Sequence, residues 1–268
     1  MLDYDKFIGF HLQNEKRLFN GDFSVIADYF EFVTDHSYSL HDLDGLTELL
    51  EAFKKYSKDG TDQVINTALD TNSIFHKGNL IINSDLTIDN LIVTGNLTIN
   101  GKVKVNNALA VGGSLHFTQN LIVNTHLCAV GNELISSNNA NLECGEPAGD
   151  LIVGGNIKMD GSLIYDYHCI IFGKNIQIKG DLILDGIVWA DESSLEIGGN
   201  FVSNESFKAK KLQVEKSIIS TNVLEITDGI SSNESIYIDL IKTQGKIKYK
   251  KDIRIRSDYS YFENIEKI

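Results

Sequence analysis

The chain of 268 residues carries 24 basic against 37 acidic side chains, and the formal net charge of −13 excludes the basic footprint of a nucleic-acid binder. A single proline beside 22 glycines argues against a loop-rich enzyme, because glycine supplies tight corners while proline would remove donors from a strand ladder. Three irregularly spaced cysteines exclude a disulfide framework, and no apolar run approaches the length of a membrane span.

The N-terminal stretch MLDYDKFIGFHLQNEK has no basic segment followed by an apolar run, so no signal peptide is read there and a cytoplasmic location is expected. Apolar spacing over the first 77 residues is helical. Tyr4, Phe7, Ile8, Leu12 and Leu18 fall roughly on one face, and the densely aromatic residues 23–33 form a second candidate. Leu46, Leu49, Leu50, Phe53 and Tyr56 repeat at the same spacing, with Lys54, Lys55 and Lys58 suited to a helix C-terminus. Residues 61–69 are expected as a short last helix. Residues 1–77 are therefore expected to be an α-helical N-terminal cap, with an independent effector module as the alternative.

At Gly78 the period changes to six: two large aliphatic residues two apart, then turn-formers. Leu80/Ile82, Leu86/Ile88, Leu97/Ile99, Val103/Val105, Leu115/Phe117 and Leu121/Val123 keep this beat. It returns in Leu151/Val153, Ile176/Ile178, Leu182/Leu184, Leu212/Val214 and Ile236/Ile238. A fixed short period predicts a mainly β fold over 78–268, a single-stranded parallel β-helix with about six residues per strand. Residues two apart in a strand share a face, so Leu97 and Ile99 point inward while Thr98 points out. Three strands per coil give about 18 residues per layer and about ten layers, a rod on the order of 45–50 Å long. Asparagines at corners, among them Asn96, Asn120, Asn156, Asn175 and Asn200, are expected to stack as ladders.

Two segments interrupt the beat. Residues 136–149 (SSNNANLECGEPAG) hold the only proline, and residues 186–194 (GIVWADESS) hold the only tryptophan. Both are expected as lateral loops. The last alternating stretch, residues 246–256, studs its outer face with lysine and arginine, a usual protection for an open ladder end.

Candidates for chemistry are sparse. His126, Cys128, Cys144, His168 and Cys169 are metal-ligand types without metal-ligand spacing, so no metal is expected. No phosphate loop or nucleophile elbow is present, so no cofactor and no catalysis are expected. The period resembles that of left-handed hexapeptide acyltransferases, for which His116 would be the catalytic base. Their repeat pairs a large aliphatic with a small residue, whereas both inward positions are large here. Polysaccharide-cleaving β-helices would require carboxylates converging on one lateral face.

The run GNLIINSDLTIDNLIVTGNLTINGKVKVNNALAVGG resembles the short-coiled solenoid of bactofilins, bacterial polymer-forming cytoskeletal proteins. That likeness implies the fold and, as one alternative, an end-to-end polymer. GDLIVGGNIKMDGSLI and GDLILDGIVWADESSLEIGGN are similar in style to acidic solenoid immunity proteins that neutralise toxins in bacterial competition.

Between residues 133 and 205 twelve carboxylates face only Lys158, Lys174 and Lys179. The expected function is a non-catalytic binding protein whose acidic lateral face captures a basic protein partner, a toxin or effector. Contact residues expected there are Asp160, Tyr165, Asp166, Tyr167, Asp181, Asp185, Trp189, Asp191 and Glu192, the aromatics as anchors. Neither nucleic acid nor a membrane is expected as partner, and the repeat specifies no oligomeric state.

Overall fold

The computed structural model describes residues 61–258 and 265–268, apart from 68, 70–72, 125–126, 146–149, 166–168, 173–174 and 187. Over these residues the chain winds as a parallel β-solenoid of 25 strands. Strands Leu80–Ile82, Leu97–Ile99 and Leu115–Phe117 stack in register on a first face. Leu121–Val123, Leu142–Cys144 and Leu163–Tyr165 stack on a second, and Leu127–Val130 and Asp150–Val153 on a third. Equivalent residues lie 17 apart at Asn83 and Asn100, 18 at Asn96 and Ser114, and 19 at Asn156 and Asn175. The expected coil of about 18 residues is therefore the one observed. Toward the C-terminus the corners tighten until the 15-residue strand Ile218–Ser232 runs through all three faces.

The inside follows from alternation. Leu97 and Ile99 are fully buried while Thr98 between them is half-buried on the outside, and the pattern repeats at Leu115/Phe117, Leu163/Tyr165 and Leu182/Leu184. Each inward aliphatic removed from water contributes about 1.5–3 kcal/mol. Corners leave little room: a Cβ on Gly101 would sit 2.2 Å from the carbonyl oxygen of Ser84 one coil away. Of the expected asparagines, Asn175 Nδ2 donates to Asn156 Oδ1 at 3.1 Å, and a further ladder runs from Asn100 Nδ2 to Asn83 Oδ1 at 2.8 Å and from Asn83 Nδ2 to Asn66 Oδ1 at 2.7 Å.

The structure revises several expectations. Residues 61–69 contain the strand Gln63–Ile65, not a helix, and its register with Leu80–Ile82 places the solenoid's start before Gly78. Val64 and Ile65 are β-branched, and burial of Ile65 with ladder pairing outweighs weak local helix preference. The helices expected within 1–60 lie outside the described residues, and among those described there is no helix. No helix there is long and apolar enough to cross a membrane.

The interruption at 136–149 contains a regular rung, Leu142–Cys144, reached through Asn138 and Asn139, both at φ 58°. Residues 186–194 likewise enter the strand Val188–Ile197, with a register shift between Ala190 and Ser194 in place of a loop. Extra residues are absorbed as a bulge because Val188 and Ala190 still reach the core.

Candidate interaction face

The second face carries the most unusual outward surface. Its strands hold one outward residue each, and the registers stack these into a single ladder. Glu143 lies beside Ile164, then Ile183, then Val202. The ladder continues through Ile219 and Tyr237 to Arg254. Five consecutive apolar residues thus line the outside, where alternation normally places polar groups. Ile164, Ile183 and Val202 are half-buried by their neighbours, and Ile219 and Tyr237 are each 38 % exposed.

Inward residues fix this face rigidly. Tyr165, Leu182, Leu184, Phe201 and Ile218 are at most 2 % exposed behind it. Phe201 packs edge-on against Phe207 at 4.9 Å, and the adjacent inward Ser203 satisfies its hydroxyl on the Glu205 carbonyl at 2.9 Å. A sheet held by such packing presents its outer ladder as a flat, preformed surface.

Carboxylates border the ladder on both sides. Asp181 and Asp185 stand at the two corners that flank the strand Leu182–Leu184, with Ile183 outward between them. Asp181 accepts from the Asn200 backbone at 2.6 Å, and Asp185 from Asn204 Nδ2 at 3.2 Å. Glu205 accepts from Asn222 Nδ2 at 2.9 Å. These partners are neutral. Among the described residues none of Glu143, Asp181, Asp185 or Glu205 forms an ion pair. The two described lysines of the acidic middle are already committed, Lys158 to Glu133 at 2.9 Å and Lys179 to Asp160 at 2.5 Å. Those contacts hold the Glu133 and Asp160 carboxyls below their ordinary range, chiefly through the lysine hydrogen bonds.

The expected contact residues do not gather on one face. Asp160 and Asp181 stand at the corner where the first face turns into the second, and Asp185 stands at the next corner. Tyr165 is corrected outright: it points into the core at 2 % exposure and offers nothing to a partner. Its place two after Leu163 makes it the second inward residue of the beat, and its size disguises that. Trp189, Asp191 and Glu192 have backbones in the strand Val188–Ile197, spanning the third face and the following corner, and their side chains lie outside the description. Asp166 and Tyr167 fall outside the described residues altogether. The outward ladder is absent from the expected set, although its signal is in the sequence. Segments LIY, LIL, FVS, IIS and IYI put an apolar residue between the two inward positions, where LTI and LHF put a polar one.

Of the chemical candidates, Cys128, Cys144 and His116 have described surroundings. Cys128 and Cys144 are buried, and burial pushes the Cys128 thiol up to about 12, which keeps it unreactive. His126 and His168 lie outside the described residues, and among those described no cluster of metal-binding side chains forms. His116 faces outward and shares a 2.9 Å hydrogen bond with the Ser137 hydroxyl. A shallow groove at the N-terminal part of the second face is lined by Asp85, Lys102, Lys104, Ile122 and Glu143.

The fold and this surface define a parallel β-solenoid with a flat lateral face, apolar in the centre and charged at its border. No protein-family model, curated protein or solved structure matches the chain.

Proposed function

We propose that this chain is a non-catalytic binding rod whose acidic middle rungs hold a basic protein surface against the second face. An immunity or inhibitor protein neutralising a basic toxin would work in this way. One observation carries the proposal: Asp181, Ile183 and Asp185 present an aliphatic centre between two carboxylates without cation partners among the described residues. Interfaces combine an apolar core with a polar rim, and a field of one sign speeds capture of an oppositely charged partner. The outward groups are aliphatic side chains and carboxylates, suited to adhesion more than to proton transfer.

The test is a pull-down from native lysate at low and high salt, using the full chain and Asp181→Lys/Asp185→Lys. A basic partner retained at low salt, released by salt and lost with the double variant supports the proposal. Absence of any salt-sensitive partner, or equal retention by the variant, contradicts it.

A second proposal, an end-to-end polymer, draws on the last rungs. Several of their cations are engaged within the stack, with Lys251 on Glu234 at 2.9 Å, Lys248 near Glu266 at 3.9 Å, and Lys267 over the Tyr249 ring at 5.8 Å. The final strand Ile265–Lys267 is exposed throughout. Filaments seen by electron microscopy would favour this proposal over the first.

A further inference from the structure

We propose that the second face takes a second copy of this chain, with the two rods antiparallel about a two-fold axis that crosses the ladder at Val202. This rests on the second face being the binding face, and it names an occupant whose segment 207–268 is opposite in sign to the acidic rungs. The ladder reads the same from both ends in chemical type. Counting outward from Val202, Ile183 matches Ile219, Ile164 matches Tyr237, and Glu143 matches Arg254. Turning one rod end for end over the other therefore places apolar residue on apolar residue. It also places each Glu143 opposite the second copy's arginine at position 254, twice by symmetry.

Charge selects this arrangement over its alternative. Rods packed with their axes parallel would set every residue against its own copy, Glu143 on glutamate and Arg254 on arginine. Neither Glu143 nor Arg254 has an ion-pair partner within the described chain, so both are available. The same turn lays the acidic rungs of 133–205 along the segment 207–268, whose 12 basic residues outnumber its nine acidic ones. Lys216, for example, comes to the rung of Asp181.

Dimensions set the strength. Six steps of about 4.8 Å separate Glu143 from Arg254, and a face is roughly 15–20 Å wide, giving on the order of 500 Å² per copy. That lies below the usual size of a permanent interface, so the pair is one that dissociates on dilution.

Sedimentation of the full chain across a concentration series at low and high salt tests this. The expected result is a monomer–dimer equilibrium that salt weakens. Glu143→Arg and Arg254→Glu each raise the dissociation constant about tenfold or more, and the two together restore it to within about threefold. Circular dichroism checks that each variant folds, and the exposed Arg254→Glu stands alone if Glu143→Arg does not. A monomer at every concentration overturns the proposal, as does a dimer indifferent to Arg254→Glu or a double variant that stays dissociated. A monomer that still holds a salt-sensitive basic partner overturns this pairing alone and leaves the binding function standing.

Discussion

The second and third faces both place apolar residues on the outside of the coil, yet they treat them in opposite ways. On the third face Ile92, Ala110 and Ala129 occupy outward positions beside the core residues Leu91, Val93, Leu109, Val111, Cys128 and Val130. They are 0 %, 2 % and 2 % exposed and stand outside the core cluster, so this part of the third face is closed to solvent. On the second face Ile219 and Tyr237 remain 38 % exposed. A break in alternation therefore carries two meanings, an outward position shut from solvent and an outward position left open for contact. Farther along, the third face changes character: Lys208, Glu225 and Lys242 stack outward as an ion ladder, with contacts of 3.7 and 3.8 Å.

That contrast can be broken by matched substitutions. Ile92→Asp places an unpaired charge in a closed layer and is expected to cost about 3–5 kcal/mol in urea unfolding. Ile183→Asp, the same change on the open face, should cost under about 1 kcal/mol while abolishing self-association. Equal costs at the two sites would erase the distinction. Tyr165→Ala sharpens it from within, since a ring behind the second face should cost about 2–4 kcal/mol when truncated. Loss of partner binding in a fully stable Tyr165→Ala protein would instead return this residue to the surface.

Acid should have the smallest effect. Glu133, Asp160 and Glu234 are held below their ordinary range by hydrogen bonds led by Lys158, Lys179 and Lys251. Carboxyls lowered in the folded state contribute stability above their unfolded values and lose it as pH falls through the folded ones. The urea midpoint should thus decline gently from about pH 5 to about pH 3, and Lys179→Ala should flatten the Asp160 share. These pairs are solvent-exposed, so a steep acid transition would require some other group.

The coil itself is legible in the sequence because period two and period six are imposed by backbone geometry. Pairs such as Leu97/Ile99 and Leu182/Leu184 announce inward positions wherever they occur. The rung Leu142–Cys144 is hidden because extra residues around Asn138 and Asn139 displace it from the beat, although its side chains obey the same alternation. Strand Gln63–Ile65 is hidden because Gln63 stands where the other rungs carry their first inward aliphatic residue. The interaction face is harder still. Tyr165 looks like an anchor and is core, while Ile164 beside it looks like core and faces out. The beat carried on from Ile157/Met159 marks Leu163 and Tyr165 as the inward pair, but that Ile164 joins Ile183 and Val202 in one outward ladder is a relation between coils that no single segment contains.

Carbene footprinting of the native chain, read by mass spectrometry at low and high protein concentration, addresses the open second face most directly. Ile183, Ile219 and Tyr237 should be labelled when dilute and protected when concentrated, with Ile92 protected at both. Labelling of Ile92, or protection of Ile183 and Tyr237 even at high dilution, would contradict the account.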